Sequence, residues 1–129
     1  KKLNIIIMVT KVDLFDAFGE LIYALALADG VIQKEETAAL TRILGDHPWA
    51  SEIAWSFNYE KKKEKSLEAA FANALDTCKD YGASTDYPFL FEILDKIAAA
   101  SDGVHEKEAA LITKFKTELM AHFQENSGS

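Results

Sequence analysis

Cysteine, histidine and proline are scarce in this 129-residue chain, and each scarcity closes off a class of function. The single cysteine, Cys78, cannot form an internal disulfide, so nothing points to a disulfide-stapled fold or an oxidising compartment. The three histidines, His47, His105 and His122, show neither His-x-x-x-His nor Cys/His spacing, which makes zinc the least favoured metal. No glycine-rich phosphate loop is present among the six glycines. The longest apolar run, Leu21 to Ala28, has eight residues, well short of the ~18–20 that span a membrane. Ile5-Ile6-Ile7 after Lys1-Lys2 is likewise too short for a signal peptide, because Lys11, Asp13 and Asp16 follow at once. Basic residues number 14 against 21 acidic ones, a net charge of −7. That balance argues against nucleic acid as a partner, since such binding needs a basic face. A cytoplasmic protein is expected.

Helix formers dominate what remains. Ala, Leu, Glu and Lys recur with helical spacing, and β-branched residues are thin after residue 10. A first helix is expected from Asp13 to Ala28, with Thr10 and Asp13 as a capping pair and Gly30 as its terminator. A second runs from Lys34 to Leu44 and is closed by Gly45. A third takes Pro48 in its first turn behind an Asp46 cap and carries Trp49, Ile53, Ala54 and Phe57. Tyr59 to Lys65 reads as a charged connector. Ser66 caps a fourth helix, Leu67 to Tyr81, and a fifth begins at Thr85 or Asp86 and ends at Asp102-Gly103. The last spans Glu106 to Phe123. The fold class is therefore all-α: a single-domain bundle of about six helices. Residues 1–12 are an N-terminal extension in which Met8 is a candidate start, residues 13–123 the domain, and residues 124–129 a polar tail expected to fray.

Two stretches repeat. Ala28-Asp29-Gly30 leads through a short turn into Glu35-Glu36, and Ser101-Asp102-Gly103 leads into Glu106 and Glu108. The Asp-Gly pairs lie 73 residues apart, too far for a solenoid unit of ~20–50 residues, so a duplicated helix–corner–helix unit is expected. One reading is purely structural: the glycines end helices, the aspartates bond nearby backbone, and Gln33 with Glu36 and His105 with Glu108 form capping boxes. The other is a cation site. An aspartate in the last turn of a helix faces the negative end of the dipole, costing roughly 0.3–1 kcal/mol, and a bound cation would remove that cost. An Asx-turn would remove it too. A full calcium-binding EF-hand is excluded, because Leu25 and Leu27 fall where the first two oxygen ligands belong. Pooling both corners is the remaining route to enough oxygens.

Taken together, these residues resemble the TerB-like family, the all-helical domain associated with tellurite resistance and found at the start of certain membrane-anchored DnaJ-type co-chaperones. The resemblance spans roughly residues 13 to 123. It implies duplicated halves, a bacterial stress-resistance setting, a protein partner, a place in a peripheral complex at the inner face of the membrane, and no enzymatic activity. It also implies a divalent-cation site at Asp29, Glu36, Asp102 and Glu108, with Glu35 and Glu106 as neighbours. An all-oxygen set favours calcium or magnesium. The second copy is one residue shorter between Gly103 and Glu108, which leaves the equivalence of the two glutamates open. A protein-interaction scaffold with structural corners is the alternative.

Other constellations read as structural. Cys78 lies on an apolar helix face, where a buried thiol is expected rather than a nucleophile. Lys61-Lys62-Lys63-Glu64-Lys65 is expected to be solvated, with lipid phosphates or an acidic partner as the alternative contact. Trp49, Trp55, Phe57 and Tyr59 are expected in the core, with a partner groove as the alternative.

Overall fold

Each expected helix forms, and the described residues contain six. The computed structural model describes residues 9–28, 30, 32–100 and 106–127, with side chains to residue 125. The helices are α1 (Lys11–Ala26), α2 (Lys34–Leu44), α3 (Ala50–Lys63), α4 (Leu67–Tyr81), α5 (Tyr87–Ala100) and α6 (Glu106–Ser127). The described residues include no strand. None of these helices is long and apolar enough to cross a membrane.

Local chemistry sets most of the boundaries. Thr10 and Asp13 form a reciprocal capping box: the Thr10 N–H donates to Asp13 Oδ2 at 2.9 Å and the Asp13 N–H to Thr10 Oγ1 at 3.3 Å. These bonds satisfy donors that a helix start leaves open, so α1 begins at Lys11 rather than Asp13. Ser66 Oγ accepts the Ala69 N–H at 3.1 Å and opens α4 where expected. Gly30 follows α1 with φ +96°, a conformation in which a Cβ would be strained.

Three boundaries differ from the sequence reading. Tyr59 to Lys63 is not a connector but the last turns of α3, which Glu64 ends in the left-handed region at φ 54°. Lys61, Lys62 and Lys63 sit at the negative end of that helix dipole, which favours continued helix where charge density suggested a loop. Pro48 lies in the turn before α3, because Trp49 caps the helix instead; its ring stacks on Phe15 with centroids 4.8 Å apart. Finally, α6 runs on to Ser127, since no residue before Gly128 breaks a helix.

α1 is the central element. Eleven of its residues are buried, and it packs against α3 and α4 over most of its length and against α5 and α6 less extensively. Phe15 and Phe18 of α1, Phe57 of α3 and Phe115 of α6 are among the largest fully buried side chains. Burying each contributes roughly 1.5–3 kcal/mol relative to exposure. α1 and α3 approach closely at Gly19. A Cβ there would run into the Ile53 carbonyl oxygen and come within 2.7 Å of Ser56 Cβ, so only glycine lets α3 lie this near. The Ser56 hydroxyl crosses the same gap to the Asp16 carbonyl at 2.6 Å.

The far side of α1 is arranged differently. The Tyr87 hydroxyl reaches the Cys78 and Gly82 carbonyls at 3.1 and 2.7 Å, and its ring lies 5.9 Å from that of Phe123. The end of α4, the start of α5 and the end of α6 are thus tied at one residue. With Phe71 of α4 5.7 Å from Phe115 of α6, the two helices must run parallel.

Candidate functional site

The repeated corners place their glutamates alike. Glu36 and Glu108 are each the third residue of their helices, α2 and α6, and both are buried, at 1% and 0% exposure. The one-residue difference between the copies therefore falls in the corner and not in the helix, and the two glutamates are equivalent positions. Glu36 accepts the Gln33 N–H at 3.0 Å as half of a capping box. Glu35 and Glu106 are exposed and point away from the core. Asp29, Asp102 and His105 lie outside the described residues. Among the described residues, no group of three or more His, Cys, Asp or Glu side chains is placed to hold a metal ion.

One hollow joins the first corner to the second half. It has a volume of about 600 Å³ and lies between α4 and α6, with Ala28 at the end where Lys107 opens α6. Its floor is Leu67, Phe71, Leu75 and Leu111. Its rim carries both signs: Glu68, Asp76 and Lys79 from α4, and Lys107, Lys114 and Glu118 from α6. The Lys114 ammonium sits 5.4 Å above the Phe71 ring. Such a trough arises because α4 and α6 are pinned at one end by Tyr87 and make few close contacts elsewhere. The sequence reading did not find it. Its only trace was the small residues Ala72 and Ala110 on helix faces otherwise lined with Leu and Phe.

The opposite face of α1 is acidic. Asp13, Asp16 and Glu20 share one side of that helix beside a small hollow of about 210 Å³. Lys65 clamps the far end, donating to Glu20 at 2.9 Å and lying 3.3 Å from Glu60, while its carbonyl accepts the Tyr23 hydroxyl at 2.5 Å. Burial raises the Glu20 carboxyl above its ordinary range against the pull of Lys65, and the bond to Glu20 raises the Lys65 ammonium in turn. Asp16 is pushed up to about 7, first by burial and then by its hydrogen bond and proximity to Glu52. The three- and four-residue spacing of these acids was visible in the sequence, but the contribution from α3 was not.

The aromatic segment divides. Trp49 and Phe57 pack on the core as expected, whereas Trp55 and Tyr59 are 57% and 42% exposed and stack on each other at 5.2 Å, with Lys63 5.6 Å from the Tyr59 ring. Ile53, Ser56, Phe57 and Glu60 take the inward side of α3, which turns Trp55 and Tyr59 outward. Cys78 is buried, and burial pushes its thiol up to about 12, which disfavours the thiolate that nucleophilic chemistry needs. Compared with protein-family models, curated proteins and solved structures, the chain matches none.

Proposed function

We propose that the chain is a non-enzymatic helical interaction module that seats an amphipathic helix of a partner protein in the trough between α4 and α6. The observation that carries this reading is the trough itself: an apolar floor of about 600 Å³ with a rim charged in both senses. A floor of leucine and phenylalanine suits apolar anchors repeating every three to four residues, and a mixed rim suits a partner helix with charges of both signs. The resemblance to the TerB-like family supplies the setting, a bacterial stress-resistance system. The test is capture from a bacterial extract with wild type and with Ala72→Glu/Ala110→Glu, which places charge in the trough. A protein retained by wild type and lost by the variant supports the reading; equal retention by both sinks it.

A second reading has its own support. Buried glutamates at the same helical position in both repeats are the arrangement expected of two half-sites contributing to one divalent-cation site with Asp29 and Asp102, calcium or magnesium being favoured. Ala28 and Lys107 line one trough, so the first corner lies beside the start of α6. Titration calorimetry of wild type against Asp29→Asn/Asp102→Asn tests it. Binding in wild type alone supports a cation site; no heat from calcium or magnesium in wild type removes it.

A further inference from the structure

The outer face of α3 combines aromatic rings with cations. Trp55, Tyr59 and Lys62 follow one another at four- and three-residue spacing, so they share one line along the helix, and Lys61 and Lys63 flank its end. The two rings are stacked and exposed, all three lysines are exposed, and Lys63 lies against the Tyr59 ring. Among the described residues, none of the three lysines forms an ion pair. Of the acids on this helix, Glu60 is buried and taken by Lys65, and Glu52 stands in the first turn, at the far end from the lysines. Glu64 follows the last turn and leaves the lysines in excess. The negative charge of the chain is concentrated elsewhere: residues 66–129 carry 11 acidic and 5 basic side chains, residues 1–65 only 10 and 9. α3 packs mainly on α1, and not on the helices of that acidic half.

We propose that this face of α3 settles on an anionic phospholipid surface, with the Trp55 and Tyr59 rings among the headgroups and Lys61, Lys62 and Lys63 against lipid phosphates. Tryptophan and tyrosine join an apolar ring to a polar atom, which suits them to the layer between water and acyl chains. Each lysine near an anionic leaflet strengthens binding about fivefold. Shape favours lipid over an acidic peptide. Neither the trough nor the acidic hollow is lined by α3, and the ring pair stands outward as a ridge. A peptide buries its side chains in a groove, whereas a ridge meets a broad plane. The acidic remainder of the chain is repelled by the same surface, which confines contact to this one face. That contact uses no residue of the trough, so it stands independently of partner docking there.

Sedimentation of the full chain with vesicles tests this, using equal parts phosphatidylglycerol and phosphatidylcholine beside phosphatidylcholine alone. Wild type should sediment with the mixed vesicles only, and should be released in about 1 M salt, which cuts the screening length to about 3 Å. Lys61→Gln/Lys62→Gln/Lys63→Gln should weaken partitioning on the order of a hundredfold. Trp55→Ala/Tyr59→Ala should weaken it severalfold and abolish the blue shift of tryptophan emission that mixed vesicles cause in wild type. All five side chains are exposed, so both variants should unfold within about 0.5 kcal/mol of wild type. Wild type left in the supernatant by mixed vesicles overturns the proposal, and so does equal sedimentation with both kinds. A lysine variant that partitions like wild type, or an emission shift that survives without Trp55, also overturns it. Binding to a polyglutamate peptide with indifference to mixed vesicles replaces it with an acidic protein partner.

Discussion

The two sides of α1 solve the same packing problem in opposite ways. Against α3 the helix gives up a side chain: Gly19 lets backbone meet backbone, and polar groups are drawn into the joint. Toward α4 and α6 it offers large apolar residues, and the two outer helices meet each other incompletely, leaving the trough. The first joint is closed by backbone contact and a hydroxyl bond, whereas the second is lined with leucine and phenylalanine and stays open to solvent.

Substitutions can break that contrast. Gly19→Val drives a branched side chain into the Ile53 carbonyl, and should cost at least about 2–3 kcal/mol in denaturant unfolding. A loss under about 1 kcal/mol would mean that the seam can yield. Lys65→Met removes the cation that bridges Glu20 and Glu60, two largely buried acids; a loss of about 1–2 kcal/mol at pH 7 is expected, shrinking in acid as Glu20, raised by burial, takes up a proton.

Asp16→Asn should act through pH. The folded-state value of Asp16, about 7, lies above the ordinary aspartate value of 3.8. The stability it contributes is therefore fully present below about pH 4, declines as pH rises toward 7 and is lost above. The variant should flatten that limb of a stability–pH profile and unfold later than wild type at pH 8. The smallest effect belongs to the trough. Ala72 and Ala110 are exposed, so the double glutamate variant should unfold within about 0.5 kcal/mol of wild type while losing any partner. A large loss there would show that the trough is part of the core.

Much of this architecture was legible from local chemistry. Thr10 with Asp13, Ser66, Gly30 and Gly45 mark helix ends through bonds and backbone angles that reach no further than three or four residues. The α3 boundary was misread because its lysines looked like a solvated loop, while the dipole they complement exists only once the helix does. Sequence makes the core the default for Trp55 and Tyr59, with a partner groove as the alternative; the phase of α3, set by Ile53 and Phe57, turns both outward. The candidate sites were harder. The equivalence of Glu36 and Glu108 needed helix registers that a corner of unequal length obscures. The bond from Ser56 to the Asp16 carbonyl joins residues 40 apart in sequence, and no short-range pattern encodes it.

Tyr87 gives the trough a direction. Because one hydroxyl and one ring hold the ends of α4 and α6 together there, the walls can part only at the opposite end, as the jaws of a peg part away from its spring. That opposite end is where Ala28 and Lys107 sit, beside the first corner. A widening of the trough therefore falls on the mouth beside Ala28 and leaves the Tyr87 end untouched.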